Sequence, residues 1–205
     1  MEFKRVLIIG LLFFSGFEIG NTQPTIYSKE KQIDAATIVA PDAKRGSATI
    51  FGYNKAGELI KLREGDNSLV CIADDPKQSN FHVACYHKDL EQFMKRGREL
   101  RAKGYSRKKV DSLRKVEIDK GSLSLPRKPM ALYSISGSAD AFDYNSGTLK
   151  KASPLYVVYV PYATEESTGL SQKPAIKGAP WLMEPGTPWA HIMVTTGRKI
   201  GNDMD

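Results

Sequence analysis

The sequence predicts an α+β fold, a single domain in which an antiparallel sheet carries a two-helix insertion. The order of patterns along the chain supports this class: strand-like stretches come first, two helical stretches follow, and strand-like stretches return. No β-α-β alternation is present, which argues against a parallel α/β sheet. The chain has 205 residues, 41% apolar side chains, 17 glycines and 11 prolines, which suits one globular domain with many turns.

The first 22 residues resemble a secretory signal peptide in composition. Lys4 and Arg5 precede an apolar run from Val6 to Phe17, and a polar segment follows. A basic start followed by about 7–15 apolar residues is typical of such a signal, and the run is too short for a usual membrane span. We therefore expect export to the periplasm or the medium, with no transmembrane segment in the mature chain.

The next segment, residues 23–45, has little periodicity beyond one helical turn near Ile33–Val39, which Pro41 would end. It is predicted to be a loosely ordered N-terminal arm. The α+β domain is expected to span residues 46–197, and residues 198–205 to form a flexible tail.

Four strands are predicted to follow one another as an antiparallel meander. The stretches 48–53 and 58–63 flank an Asn-Lys-Ala-Gly turn, whose Asn and Gly tolerate the positive φ that hairpin turns need. The stretches 69–73 and 81–86 flank the polar loop 74–80.

The two cysteines, Cys71 and Cys85, face each other if the last two of these strands pair around their loop. Facing residues on antiparallel strands approach to about 4.5–5.5 Å, within reach of a disulfide, and an oxidising compartment preserves the bond. We therefore predict a disulfide. The alternatives are two small buried thiols, or a nucleophilic Cys85 assisted by His87.

Two helices are predicted next, over residues 89–103 and from the N-cap Ser106 to about Lys120, with Gly104 ending the first. They carry a concentration of positive charge that only Glu99 and Asp111 oppose between positions 95 and 115. The basic residues there are Lys95, Arg96, Arg98, Arg101, Lys103, Arg107, Lys108, Lys109, Arg114 and Lys115.

Such a patch attracts anionic partners. Its candidate contacts are Arg96, Arg101, Lys108 and Lys109, and the candidate partner is an anionic envelope polymer; nucleic acid is not expected. The alternative is that these side chains belong to ordinary solvated helix faces.

The remaining strands are predicted at residues 130–136, 155–160 and 189–195. The middle one has apolar residues on both faces, which is typical of a central strand. A loop of roughly twenty residues, rich in Gly, Pro, Ser and Thr, precedes the last strand and has a length often associated with function or disorder.

The segment APWLMEPGTPWAHIMV (179–194) has the densest chemical content. Its prolines stiffen a loop on which Trp181 and Trp189 offer aromatic surface, so both are candidate ligand-binding residues. Glu184 and His191 are candidates for a catalytic acid–base pair if they approach each other. The alternative is a tight loop whose tryptophans cover the core.

Three further candidate ligand-binding residues, Tyr162, Glu165 and Glu166, lie just beyond the central strand, although a solvated turn would also explain them. The histidines have no metal-site spacing, so neither a metal nor a cofactor is expected; the alternative is a metal site built from residues that are distant in sequence. Two functions remain open: an exported module that binds an unidentified ligand or partner, or a small hydrolase-like enzyme that uses Glu184 and His191.

Three stretches, FHVACYHKDLEQFMKRGRELR (81–101), YVVYVPYATEESTGL (156–170) and GAPWLMEPGTPWAHIM (178–193), are similar to a group of exported bacterial proteins without an assigned activity. The resemblance covers most of the mature chain. It implies export and no particular reaction, and it adds nothing to the choice of site residues.

Overall fold

The computed structural model of the protein describes residues 25–195 and Ile200. The predicted signal peptide lies outside these residues. The helices are α1 (Lys29–Thr37), α2 (Asp42–Arg45), α3 (Glu91–Ala102), α4 (Arg107–Asp119) and α5 (Glu165–Thr168). The strands are β1 (Thr49–Tyr53), β2 (Leu59–Arg63), β3 (Leu69–Ile72), β4 (Phe81–His87), β5 (Met130–Gly137), β6 (Phe142–Asp143), β7 (Thr148–Leu149), β8 (Ala152–Tyr159), β9 (Trp181–Met183) and β10 (His191–Thr195).

Eight strands form one sheet in the order β2-β1-β3-β4-β5-β8-β10-β9, and β6 pairs with β7 in a small separate hairpin. The predicted α+β class is confirmed. The predicted insertion is also present, because α3 and α4 lie between β4 and β5, which are antiparallel neighbours. The central position predicted for β8 is confirmed, since it lies between β5 and β10.

The predicted four-strand meander is wrong, because β3 runs parallel to β1 and pairs with its other edge. The turn after β2 causes this change. Ser47 accepts backbone hydrogen bonds from Asp66 and Asn67, which carries the chain across the start of β1. A Cβ at Gly65 would lie 2.3 Å from the Ala48 carbonyl carbon, so only glycine allows this close crossing.

The predicted disulfide is confirmed. Cys71 on β3 and Cys85 on β4 are paired in register, with a Cα–Cα distance of 4.0 Å, and both are fully buried. Both sulfurs are thereby consumed, which excludes the alternative of a nucleophilic Cys85.

Residues 25–45 are not the loosely ordered arm that the sequence predicts. Ser28 caps α1, whose Ala35 and Ala36 are fully buried in the cluster that contains Ile50 and Cys85. The hydrophobic pattern of this helix is weak because alanines, and not large apolar residues, make its core contacts. We call the side of the sheet that α1 covers the α1 face.

The side chain of Gln32 ties α1 to the end of β1. Its amide nitrogen donates to the carbonyl oxygens of Tyr27 (2.8 Å) and Tyr53 (2.9 Å), and its Oε1 accepts from the Tyr53 amide at 2.7 Å. Gln32 is itself buried, so these bonds satisfy a polar group that would otherwise be costly to enclose.

The opposite side, the helix-pair face, is only partly covered by α3 and α4. Ser106 caps α4 as predicted. The helix pair packs through Phe93, whose ring centroid lies 6.0 Å from that of Trp189 and 6.4 Å from that of Tyr159. Arg114 is buried between the helices, with its guanidinium 3.8 Å from the Phe93 ring centroid.

The C-terminal part of the sheet differs from prediction in two places. Part of the presumed loop, Trp181–Met183, is the edge strand β9, which pairs with β10. Within the predicted flexible tail, Ile200 exchanges two backbone hydrogen bonds with Ala152, at 2.7 and 2.9 Å; the rest of that tail lies outside the described residues.

Candidate functional site

A groove of about 760 Å³ lies on the helix-pair face, between α3 and the half of the sheet that the helices leave open. It exists because α3 turns its buried residues, Phe93 and Leu100, toward the covered half, while Met94 and Arg98 face the open half. Its volume falls within the range of about 300–1,000 Å³ that is usual for small-molecule sites.

The floor of the groove is apolar. Ile72 on β3 is paired in register with Ala84 on β4, and Tyr86 is paired with Leu132 on β5, so these four side chains lie on one face. Met94 of α3 forms part of the side wall. The disulfide lies behind this floor, because Cys71 and Cys85 point to the α1 face from the same two strands.

The α3 wall of the groove is cationic. Arg98 is fixed by two neighbours: it donates to the Tyr86 hydroxyl at 2.9 Å and to Glu91 at 2.7 Å, while the Tyr86 hydroxyl donates to Glu91 at 2.5 Å. Arg101, one turn farther along, has no carboxylate within 4.0 Å in the described part of the chain. Partial burial, together with the charges of Arg114 and Arg98, lowers the pKa of Arg101 from its ordinary value.

The part of the groove that the loop after β3 forms is acidic, and we call it the acidic end. Asp74 and Asp75 follow β3, and the Asp74 carboxylate accepts a hydrogen bond from the His82 amide at 2.8 Å. Burial, with a smaller effect from Asp75, raises the pKa of Asp74 to about 6. Burial also lowers the pKa of His82 from its ordinary value.

Tyr53 lies within the electrostatic reach of both ends. Its pKa is raised to about 12, first by burial and then by the charges of Asp75 and Asp74, while the charge of Arg98 acts in the opposite direction. The groove therefore combines an apolar floor with carboxylates at the acidic end and with guanidinium groups on the α3 wall, which we call the α3 end.

The predicted aromatic and acid–base residues lie elsewhere, around β9 and β10. Trp189 is a core residue, whereas Trp181 is half-buried on the edge strand β9. His191 lies on β10, two strands away from β5, the strand that carries Leu132. Its Nδ1 is 2.8 Å from the Trp189 carbonyl oxygen, and its ring centroid is 5.4 Å from that of Tyr159.

Glu184 is exposed and has a positive φ of 53°. Burial lowers the pKa of His191, against smaller raising effects from the Trp189 carbonyl and the charge of Glu184. The sequence-predicted pair is thus brought into one neighbourhood, but neither residue lines the groove.

The other candidate residues are dispersed. Glu165 and Glu166 are exposed on the single turn of α5, which Thr164 caps. Tyr162 lies under Arg127, whose guanidinium is 4.4 Å from the ring centroid. None of these three residues lines the groove.

The basic patch is divided by ion pairs. Arg96 contacts Glu117 at 2.5 Å and Glu99 at 3.3 Å, so its charge is offset. Lys108 and Lys109 are exposed in the first turn of α4, whereas Arg101 lines the groove. The four residues predicted to act together therefore have three different environments.

Sequence reasoning missed the groove because its lining comes from six elements, β1 to β5 and α3, together with the loop after β3. One available signal was the short strand LVCI (69–72), whose residues are apolar on both faces and therefore indicate cover on both sides of the sheet. Another was the acidic pair Asp74 and Asp75 at the end of that strand.

Across the described ranges, 25–195 and Ile200, no three His, Cys, Asp or Glu residues are grouped so that they could hold a metal ion. In the same part of the chain, no helix has the length and apolar character needed to cross a bilayer.

Comparison of the chain with protein-family models, with curated proteins and with solved structures found no match in any of the three. The case for a function therefore rests on the groove and on the residues that line it.

Proposed function

We propose that this chain is an exported protein that binds a small amphipathic molecule in the groove between α3 and the sheet. The observation that carries the proposal is the groove itself: an apolar floor of Ile72, Ala84 and Leu132, with charged groups at its two ends. Pockets that bind small molecules commonly combine apolar walls with a few placed polar groups.

The walls and floor of the groove are fixed by cross-links and side-chain contacts, which lowers the entropy lost when a ligand binds. The Cys71–Cys85 disulfide joins the two floor strands from behind. The contacts among Tyr86, Glu91 and Arg98 fix the α3 wall against the sheet.

Export is supported by the signal-like composition of the first 22 residues and by the disulfide. Disulfides form and persist mainly in oxidising compartments. An exported protein meets its ligand outside the cytoplasm, so the proposed ligand is a molecule of the envelope or of the surroundings.

A neutral apolar fluorophore, N-phenyl-1-naphthylamine, tests the groove directly. We expect saturable binding to one site on the full mature chain. Replacement of Ala84 by Phe would fill the floor and weaken that binding at least tenfold, because Ala84 lies at its centre beside Ile72.

The matched control is Ala131→Phe. Ala131 is half-buried on β5, and its register with Val158 places it on the α1 face. Thermal melts check that both variants fold. Binding that is absent from the wild type, or that survives Ala84→Phe in a folded protein, would contradict the proposal.

A further inference from the structure

The two ends of the groove carry opposite charge, and each end retains charge after its internal contacts are counted. At the α3 end, Glu91 offsets Arg98, but Arg101 has no carboxylate within 4.0 Å in the described residues. At the other end, the carboxylates of Asp74 and Asp75 accept backbone hydrogen bonds from the amides of His82 and Lys77, and the ammonium group of Lys77 lies within 4.0 Å of neither carboxylate.

The middle of the groove has no charged floor residue. Ile72, Ala84 and Leu132 form it, and the hydroxyl-bearing ring of Tyr53 lies where the charges of both ends are felt. A fully apolar molecule would leave both ends unmatched. A molecule with charge of one sign would be attracted by one end and repelled by the other.

We propose that the groove binds a short apolar peptide with free termini, its ammonium group against Asp74 and Asp75 and its carboxylate against Arg101. This inference rests on the proposed function of the groove as a ligand site. Apolar side chains of the peptide would lie on the floor, and Arg98, already held by Glu91 and Tyr86, would add positive potential without changing partners.

The arginine end is suited to a carboxylate because a guanidinium presents parallel N–H donors that match two carboxylate oxygens. The acidic end is suited to an ammonium group, which donates up to three hydrogen bonds. Asp74 accepts a hydrogen bond from the His82 amide and lies beside the Tyr144 hydroxyl, and these two neighbours fix its carboxylate in the groove.

Four tripeptides separate the contributions of the two ends: Leu-Ala-Leu, its N-acetyl form, its C-terminal amide and the doubly blocked form. Isothermal titration on the full mature chain at pH 7.5 should show the tightest binding for the free peptide. Each single block is expected to weaken binding about tenfold, because it removes one charge contact, and both blocks together should weaken it more.

Variants assign each effect to its residue. In Arg101→Gln the free peptide and its amide should bind equally, while N-acetylation should still weaken binding. In Asp74→Asn/Asp75→Asn the reverse should hold. If either variant weakens all four peptides by the same factor, the residue does not contact the terminus and the assignment is wrong.

The pH dependence gives a second readout. Asp74 is faced by Asp75, Tyr53, Tyr144, His82 and Lys77. Lowering the pH from 7.5 to 5 protonates Asp74 and should weaken binding of the free peptide and the amide severalfold, but not that of the N-acetyl form. Equal weakening of all forms would overturn the proposed orientation.

The two proposals fail differently. If the naphthylamine probe binds in an Ala84-dependent manner but no peptide binds, or all four peptides bind equally, the peptide inference is wrong and the groove remains a ligand site. If the probe does not bind either, the proposed function fails as well.

Discussion

The covered half and the open half of the helix-pair face each contain an arginine of the helix pair, but the two arginines have different surroundings. In the covered half, Arg114 is 8% exposed, its guanidinium lies on the Phe93 ring, and it donates to Asp111 at 2.6 Å and to the Phe93 carbonyl at 3.3 Å. In the open half, Arg101 is exposed and has no acidic partner within the described residues.

The difference between these arginines lies in what encloses them. A buried guanidinium must be paired and packed, because an unpaired buried charge is costly. Gly97 makes that enclosure possible, since a Cβ there would lie 2.9 Å from Nη1 of Arg114. An exposed, unpaired guanidinium at the edge of a groove adds little to folding and remains available to a ligand. The covered half thus stabilises the fold, whereas Arg101 in the open half has no ion pair within the described residues.

The largest expected effect is on the free energy of unfolding, and it is tested by making the same arginine-to-glutamine substitution in each half. Arg114→Gln should lower the free energy of unfolding by about 3 kcal/mol, because Asp111 and the Phe93 carbonyl lose a buried partner. Arg101→Gln should change it by less than about 0.5 kcal/mol. Urea denaturation of both variants measures the contrast, and similar losses in both would remove the distinction between the halves.

The disulfide behind the open half should contribute almost as much. Replacing Cys71 and Cys85 together by Ala is expected to cost about 3 kcal/mol, as the entropy of closing a loop of this length predicts. The same result should follow reduction of the wild type. Stability that is unchanged by reduction, measured by denaturation with and without dithiothreitol, would contradict this account.

Asp74 should make the stability of the open half depend on pH. Its pKa is raised in the folded state, so the folded chain binds the proton more tightly and loses stability as the pH rises from about 4 to about 6. Asp74→Asn removes this loss and should be more stable than wild type by about 1–2 kcal/mol at pH 8, with little difference at pH 4. Thermal melts across this range check the sign, and a difference that is constant with pH would refute it.

The smallest effect concerns the exposed start of α4. Lys108 and Lys109 lie in its first turn, where the helix dipole disfavours positive charge. Lys108→Glu/Lys109→Glu should stabilise the fold by roughly 0.5 kcal/mol and should abolish salt-sensitive retention on an anionic matrix if these residues meet an anionic polymer.

Arg96→Glu is the contrasting variant, because it would place a third carboxylate beside Glu99 and Glu117 and destabilise the helix pair. Chromatography over a salt gradient and thermal melts together distinguish the two. Retention that is unchanged in the double lysine variant would exclude the polymer site at this turn.

Local patterns predicted the parts of the fold that depend on neighbours in sequence. The register that joins Cys71 to Cys85 follows from one hairpin, and the N-cap at Ser106 follows from a local hydrogen bond. The parallel pairing of β1 with β3 could not be predicted, because it depends on how the turn at Gly65 crosses Ser47 and Ala48.

The candidate site was beyond sequence reasoning for a related reason. Arg101 and Arg114 are the same residue type in adjacent helices. Only the position of α3 on the sheet makes Arg114 a core residue and Arg101 a groove residue. The segment around Trp181 and His191 attracted attention by its composition, yet composition does not reveal that Trp189 packs on Phe93. Convergence of distant segments is set by topology.

The contact between Gln32 and the end of β1 has a consequence for how relatives of this chain would vary. A Cβ on residue 52 would lie 2.5 Å from both Oε1 of Gln32 and Cδ1 of Leu62, so Gly52 and Gln32 occupy one shared volume. A chain with a larger residue at position 52 should have a shorter one at position 32, and would lose the amide that holds Tyr53. Glycine at position 52 and glutamine at position 32 should therefore be inherited together.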